Sequence, residues 1–193
     1  MKRLMFITIL CAFMAGPTMA DIYPFSDTID FSADGSATFD GTTHDYTAVD
    51  CPDDTPFSYT HNLVGLDPPA EAFLDATLYV THAKNLAGSN SYELWFIADS
   101  ASQKIGDLSK SQNPNKWVND QFDVTNLITG SGANWSLQIM VDEEQWNPTI
   151  SPNGLTMFLA ESTVAGNYVP VPAAVVLGIL GLGVAGWKLR KFA

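Results

Sequence analysis

The chain has 193 residues and a formal net charge of −12 at pH 7, with 21 acidic and 9 basic residues. This acidity excludes nucleic acid as a partner, because binding DNA or RNA depends on neutralising phosphates with lysine and arginine. The two cysteines are Cys11, inside an apolar N-terminal leader, and Cys51, so no intramolecular disulfide is expected in the exported chain.

Residues 1–20 have the pattern of a secretory signal peptide. Two basic residues are followed by an apolar run, and small side chains precede the bond between Ala20 and Asp21. We expect cleavage at that bond and export of the remaining chain. Cys51 is then the one cysteine left, and both burial and pairing between two chains are open to it.

The segment after the leader is polar and contains short alternating stretches. Thr28 to Ser32 and Ser36 to Asp40 alternate apolar with polar residues, which predicts half-buried strands. Asp34-Gly35-Ser36 between them predicts a hairpin turn that pairs the two strands.

An acidic turn follows, in which Asp50, Asp53 and Asp54 surround a proline. Carboxylate oxygens on a turn are the ligands that calcium prefers. The spacing does not match an EF-hand loop, so a solvated acidic turn is the simpler interpretation. Calcium is the only cofactor that the sequence offers, and no other is expected.

Stronger strand patterns come next. Phe57 to Leu63 and Ala76 to Thr81 alternate strictly and are rich in β-branched and aromatic residues. Asp67-Pro68-Pro69 between them cannot continue a strand and marks a connection between sheets or edges. His61 is in phase with the apolar positions of its strand, so we expect a partly packed side chain in preference to a catalytic base.

Four further segments complete the predicted sheets. Tyr92 to Ile97 is nearly all apolar and predicts a central strand, whereas Gln121 to Thr125 predicts a short strand before a turn. Trp135 to Val141 places its apolar residues on one face, and Leu155 to Ala160 closes the domain. Seven to nine short strands without a long amphipathic helix favour an all-β fold, an antiparallel β-sandwich.

Three phrases of this region resemble the jelly-roll modules of bacterial surface proteins, which are related to carbohydrate-binding sandwiches. They begin at Ala76 (Ala-Thr-Leu-Tyr-Val), Phe122 (Phe-Asp-Val-Thr) and Trp135 (Trp-Ser-Leu-Gln-Ile). The resemblance implies a jelly-roll-like sandwich and says nothing further about a ligand.

Two tryptophans are candidates for sugar contact. Trp117 lies among asparagines in a polar loop, and Trp146 lies in a turn. Flat rings in such positions can stack on the apolar faces of pyranoses, although plugging the ends of the sandwich is the more ordinary role. A polysaccharide is therefore the candidate ligand of the domain.

A secreted polysaccharide hydrolase is the alternative function. The chain lacks a His-Glu-x-x-His helix, a Gly-x-Ser-x-Gly elbow and a phosphate-binding glycine loop. Asp142 and Glu144 are the carboxylates that could supply an acid and a nucleophile. Nothing else in the pattern favours this chemistry, so we expect a protein that is not an enzyme.

The C-terminal stretch from Val169 to Trp187 contains no charged residue. As a helix it would reach roughly 28 Å, which is enough to cross the hydrocarbon core of a membrane. The residues that follow predict a cytoplasmic end, because positive charge is retained inside: Lys188, Arg190 and Lys191. We therefore expect a chain anchored in the inner membrane and facing outward.

The same tail resembles the PEP-CTERM sorting signal of surface proteins from exopolysaccharide-producing Gram-negative bacteria. The matching residues are Val169, Pro170, Val171, Pro172, Ala173 and Ala174. The family usually has Glu between the prolines, where this chain has Val171. The resemblance implies recognition and processing by a membrane protease-transpeptidase called exosortase, and a plain anchor that is never cut is the alternative.

The expected organisation has three parts. Residues 1–20 form the signal peptide, residues 21–168 an extracellular β-sandwich (jelly-roll-like), and residues 169–193 a sorting signal with one C-terminal transmembrane helix and a basic tail. The expected function is that of a cell-surface or extracellular-matrix protein with a binding or structural domain. Its expected partners are the membrane, an exosortase-type enzyme and exopolysaccharide.

Overall fold

The computed structural model describes residues 21–49, 56–84, 95–111, 115–143 and 156–172. Within these ranges the chain is all-β, with eleven strands and no helix. The strands are β1 (Tyr23–Asp30), β2 (Gly35–Phe39), β3 (Thr42–Val49), β4 (Phe57–Val64), β5 (Ala70–Ala83), β6 (Trp95–Asp99), β7 (Lys104–Asp107), β8 (Val118–Asp123), β9 (Thr129–Ser131), β10 (Asn134–Glu143) and β11 (Met157–Pro170).

Among the described residues, none belongs to a helix that could span a membrane. Val169 and Pro170, where the predicted transmembrane helix begins, belong to β11. The predicted signal peptide and residues 173–187 of the predicted helix lie outside the described residues. So do Ala173, Ala174 and the three basic residues of the tail.

The strands form two antiparallel sheets. The first sheet has the order β2-β3-β11-β5-β8, and β1 also pairs with β11; the second has the order β4-β10-β6-β7, and β9 also pairs with β10. Strand β11 is shared along one side by two strands in succession. Its first residues, Met157 to Leu159, pair with β3, and the residues from Glu161 to Tyr168 pair with β1.

One core lies between the sheets. The first sheet contributes side chains such as Leu78, Val80 and Leu159, and the second contributes Leu137 and Ile139, all of them with at most 1% exposure. The predicted apolar face of β10 is confirmed, because its alternate residues enter this core. The prediction of an all-β fold built from antiparallel sheets is confirmed for the described residues.

The predicted hairpin at Asp34-Gly35-Ser36 is wrong. Strand β1 pairs with β11, whereas β2 pairs with β3. The tight turn lies at Asp40-Gly41, where φ is +54° and +79°, as a two-residue Asp-Gly hairpin requires. The carboxylate of Asp34 instead accepts a hydrogen bond of 2.8 Å from the backbone N–H of Ala48.

Strand β11 extends well beyond the predicted end at Ala160. It continues to Pro170, with Val169 opposite Ala72 and Pro170 opposite Ala70 on β5. The backbone N–H of Val171 then donates to the carbonyl of Pro69 at 2.8 Å. The first three residues of the predicted sorting motif are therefore held at one end of the folded domain.

Two other predictions are confirmed. Asp67-Pro68-Pro69 lies between β4 and β5, and so connects the second sheet to the first. The predicted central strand from Tyr92 to Ile97 is confirmed for residues 95–97, because they belong to β6, which is interior to its sheet between β10 and β7, with Ile97 and Ala98 buried. Residues 92–94 lie outside the described residues.

Candidate functional site

Five aromatic side chains lie together on the outer face of the first sheet. Alternate residues of a strand face opposite sides, and Val49 and Leu159 belong to the core. The side chains that alternate with them therefore face away from the core. We call this group the aromatic surface: Phe39 of β2, His44 and Tyr46 of β3, Phe158 of β11 and Trp117 just before β8.

Phe158 is the base of the aromatic surface. Tyr46 stacks on it with the ring centroids 3.8 Å apart and the planes at 8°. The ammonium group of Lys84 lies 3.8 Å from the centroid of the same ring. Since Tyr46 occupies one face of the ring, Lys84 approaches the other, and Phe158 itself is only 8% exposed. Tyr46 is half-buried and remains accessible to solvent.

Trp117 joins the two ends of the first sheet. It precedes β8 at one end of the strand order, yet its ring contacts Phe39 of β2 at the other, with centroids 5.4 Å apart. Its ring also meets His44 at 5.0 Å. The indole Nε1–H is buried and has no hydrogen-bond partner among the described residues. Trp117, predicted as a sugar contact, therefore lies half-buried within the aromatic surface.

Polar side chains continue the outer face next to the aromatic surface. Two rows of residues cross β8, β5, β11 and β1, and within each row the residues of neighbouring strands lie opposite one another. We call these two rows the polar floor. The first row is Asn119, Thr81, Glu161 and Asp30, and the second is Gln121, Tyr79, Thr163 and Thr28. Hydrogen bonds link neighbours in both rows, such as the 2.9 Å bond from Asn119 Nδ2 to Thr81 Oγ1.

A groove of about 360 Å³ lies where β1 and β3 diverge along β11. Asp30 and Glu161 of the polar floor line it, and so does His44 of the aromatic surface. Ser32, Thr43 and Asp45 add further polar groups. The groove therefore connects the rings of the aromatic surface to carboxylates and hydroxyls.

A buried polar chain connects the two sheets near the core. His61 of β4 is fully buried, whereas its phase in the strand predicted a partly packed side chain. Its Nδ1 lies 2.8 Å from a carboxylate oxygen of Asp27, and its Nε2 lies 2.9 Å from Ser162 Oγ. A carboxylate only accepts, so Nδ1 carries the proton and Ser162 donates to Nε2. The Tyr59 hydroxyl donates in turn to Ser162 at 2.9 Å.

Burial shifts the pKa values of this chain. Burial lowers the pKa of His61 below its usual value, although the hydrogen bond and the charge of Asp27 act in the opposite direction. Burial likewise raises the pKa of Tyr59, against the hydrogen bond with Ser162. Both shifts favour neutral side chains, so the network is held by hydrogen bonds between His61, Ser162 and Tyr59, with one carboxylate at its end.

The order carboxylate, imidazole, hydroxyl is that of a serine hydrolase triad. Ser162 has 0% exposure, however, and the Tyr59 hydroxyl already contacts its Oγ. A nucleophile in this position does not meet a substrate from solution. The arrangement instead joins strands of opposite sheets through fully paired polar groups.

A second histidine is buried on β5. His82 Nε2 lies 2.8 Å from a carboxylate oxygen of Asp120 on β8, and the same oxygen accepts the Ser109 backbone N–H at 2.6 Å. Burial acts to raise the pKa of Asp120, but the hydrogen bonds from His82 and Ser109 outweigh it and lower the pKa. This pair ties the segment after β7 to the first sheet, and the sequence analysis did not identify it.

The other predicted site residues are placed as follows. Trp146, Glu144 and the acidic turn at Asp50, Asp53 and Asp54 lie outside the described residues. Asp142 lies half-buried in β10. Within the described part of the chain, no group of three or more histidine, cysteine, aspartate or glutamate residues has the arrangement of a metal site.

Phe39, Tyr46 and Phe158 were missed as site residues. The signal was present in the sequence, since His44 and Tyr46 alternate along one strand and so share a face. Their contacts with Phe158 and Trp117 depend on strand order, and alternation along one strand does not predict strand order.

No family model matches the chain, and no curated protein is significantly similar to it. Among solved structures, dimeric latent PorU from Porphyromonas gingivalis has a TM-score of 0.44 and 9% identity over 77% of this chain. The match covers 13% of the PorU chain. The CBM22-1 xylan-binding domain of Paenibacillus barcinonensis Xyn10C has a TM-score of 0.29 and 15% identity, covering 81% of this chain and 100% of that domain. Both similarities are weak.

Proposed function

We propose that this chain is an exported bacterial surface protein whose two-sheet domain binds polysaccharide through the aromatic surface. One observation carries the proposal. His44 contacts the ring of Trp117 and also lines the groove that holds Asp30 and Glu161. Rings and hydrogen-bonding groups therefore converge on one side of the first sheet.

This combination suits a sugar. The C–H faces of a pyranose are apolar and pack on aromatic rings, while its hydroxyls need donors and acceptors placed beside those rings. Tyr46 and Trp117 supply ring area, and the groove supplies carboxylates and hydroxyls.

The remaining parts of the proposal rest on the sequence. The leader and the apolar tail support export and anchoring, with the tail processed by an exosortase-type enzyme or retained as a plain anchor. The phrases at Ala76, Phe122 and Trp135 support a jelly-roll relationship for the sandwich. We retain a binding role in place of a hydrolytic one, and calcium at Asp50, Asp53 or Asp54 as the one candidate cofactor.

Affinity electrophoresis tests the binding. The full-length protein, in a detergent without a sugar headgroup, is run through gels containing hydroxyethyl cellulose, xylan, galactomannan or dextran. At least one polymer is expected to retard the protein, and Tyr46→Ala and Trp117→Ala are expected to weaken that retardation about tenfold. Gln138→Ala is the matched control, because Gln138 is exposed on the second sheet.

The retardation of the wild type is compared with that of each variant in the same series of gels. Equal retardation of the wild type and both aromatic variants, or no retardation by any of the four polymers, would reject the aromatic surface as a polysaccharide site. Circular dichroism melts of each variant separate loss of binding from loss of folding.

A further inference from the structure

We propose that the bound polysaccharide is a neutral, extended chain that lies across the strands along the polar floor, with about one sugar residue per strand. This inference rests on the proposed function and adds the direction, the length and the charge of the ligand. It is carried by the strand register of the outer face and by the charges that lie on it.

The first row of the polar floor is aligned across four adjacent strands. Asn119 of β8 faces Thr81 of β5, Thr81 faces Glu161 of β11, and Glu161 faces Asp30 of β1. Neighbouring strands lie about 4.8 Å apart, so the row spans about 14 Å from Asn119 to Asp30. That strand spacing is close to the repeat of an extended pyranose chain. Consecutive sugars would therefore meet consecutive side chains.

Side chains of the first row have donors and acceptors that are not used by hydrogen bonds within the polar floor. Asn119 gives one amide N–H to Thr81, which leaves its second N–H and its carbonyl oxygen. Glu161 accepts from Thr163 at one oxygen, 3.1 Å away, and its other oxygen has no hydrogen-bond partner among the described residues. Asp30 is exposed. Asn119 thus offers a donor and an acceptor at one end of the row, and Glu161 and Asp30 offer acceptors at the other.

The charges of the row select the ligand. Asp30 and Glu161 lie directly opposite each other, and like charges in this arrangement repel. No ion pair with another described residue relieves them. Sugar hydroxyls can donate to both carboxylates without adding charge, whereas a polymer that carries its own carboxylates would be repelled. The ligand class is therefore a neutral polysaccharide.

The aromatic surface borders this row. Phe158 precedes Glu161 on β11, with a register shift between them at Ala160. The groove at His44 lies where the row ends at Asp30. A chain that crosses the strands would thus have ring surfaces along one side and the polar floor beneath it.

A length series tests the direction of binding. Cello-, xylo- and manno-oligosaccharides of one to six residues are titrated into the full-length protein by calorimetry. Affinity is expected to increase with each residue up to about four and then to level off, because only four strands carry the row. Binding of a monosaccharide as tightly as a tetrasaccharide would overturn the crossing chain in favour of a single-sugar pocket.

Two variants at opposite ends of the row provide the second test. Asn119→Ala and Asp30→Asn are each expected to weaken the tetrasaccharide by at least about fivefold and to leave the disaccharide nearly unchanged. Thr60→Ala on the second sheet is the control, since Thr60 is exposed there. Unchanged tetrasaccharide affinity in both variants would overturn the proposed path.

Charge selection is tested with matched polymers. Hydroxyethyl cellulose and carboxymethyl cellulose share a backbone and differ in charge. Stronger binding of the neutral polymer at low salt is expected, and stronger binding of the anionic polymer would overturn the assignment of a neutral ligand. If the wild type binds no polymer or oligosaccharide at all, the polysaccharide function itself fails. If binding occurs without length dependence, only the crossing chain fails.

Discussion

Ser162 of β11 donates a hydrogen bond to His61 of β4 at 2.9 Å, across the space between the two sheets. Both residues are fully buried. The bond depends on a neutral imidazole whose other nitrogen is held by Asp27. The stability of the sandwich is therefore coupled to the protonation state of a single core histidine.

This coupling predicts a pH dependence of stability. The pKa of His61 is lowered in the folded state, whereas in the unfolded chain it returns to about 6.5. As the pH falls through about 6.5, the unfolded state takes up a proton before the folded state does. The free energy of unfolding therefore decreases below that pH, and the contribution of neutral His61 is fully present above it. Urea unfolding at about pH 7.5 and about pH 5.5 measures the change. A His61→Asn variant should lose most of this difference, and an equal difference in both proteins would contradict the assignment.

Ser162→Ala tests the hydrogen-bond chain directly. The substitution leaves His61 Nε2 and the Tyr59 hydroxyl without their partner inside the core. We expect the free energy of unfolding to decrease by about 1–3 kcal/mol. Ser58→Ala is the control, because Ser58 is exposed on the same strand as His61. Equal stability of the two variants would show that the network contributes little.

The end of β11 predicts where the domain can be shortened. A fragment of residues 21–168 lacks the paired residues Val169 and Pro170 and the hydrogen bond from Val171 to Pro69. It is expected to melt at a lower temperature than a fragment of residues 21–172, because it loses backbone pairing and covers less of β5. Thermal melts followed by circular dichroism measure this. Identical melting temperatures would show that Val169 and the residues after it do not stabilise the domain.

Removal of the apolar tail tests the proposed anchor. A chain truncated after Pro172 is expected in the soluble fraction of the cell envelope, whereas the full-length chain is expected in the membrane pellet. Neutral replacements of Lys188, Arg190 and Lys191 should weaken retention, since the predicted orientation depends on them. Recovery of the truncated chain in the membrane pellet would refute the anchor.

Calcium is expected to raise the melting temperature of the full-length protein if the acidic turn binds it. Bound cations stabilise the folded state by mass action, by about 2.7 kcal/mol at a hundredfold excess over the dissociation constant. Thermal scans with calcium are compared with scans in sodium at equal ionic strength, because simple screening affects both. Replacement of Asp50, Asp53 and Asp54 by asparagine should abolish the calcium-specific part, and equal shifts in the two salts would leave a solvated turn.

Strand periodicity was a reliable guide where one face of a strand meets the core. The alternation in β10 and the phase of His61 in β4 both predicted which side chains face the core. The failures concern pairing. Asp34-Gly35 and Asp40-Gly41 both have turn chemistry, but only the second connects paired strands, because β1 has its partner in β11, more than a hundred residues away.

For the aromatic surface, too, the candidate residue could be identified from the sequence, but its contacts could not. Trp117 could be singled out because it stands in a polar segment, and its residue type alone made it a candidate for stacking. Its contact with Phe39 could not be predicted, since the two residues belong to opposite ends of the strand order. The sequence likewise gave no reason to select Glu161 and Asp30, because only the register of β1 and β11 shows that they lie side by side.

The all-β class, the apolar faces of the main strands and the strong acidity of residues 21–168 can be inferred from the amino-acid sequence, because they depend on local composition and on a period of two residues. Which strands are neighbours, and therefore which side chains share the outer face of the first sheet, is known from the folded structure alone. Strand order depends on the free energy of contacts between distant segments, and no local pattern in a single chain encodes it.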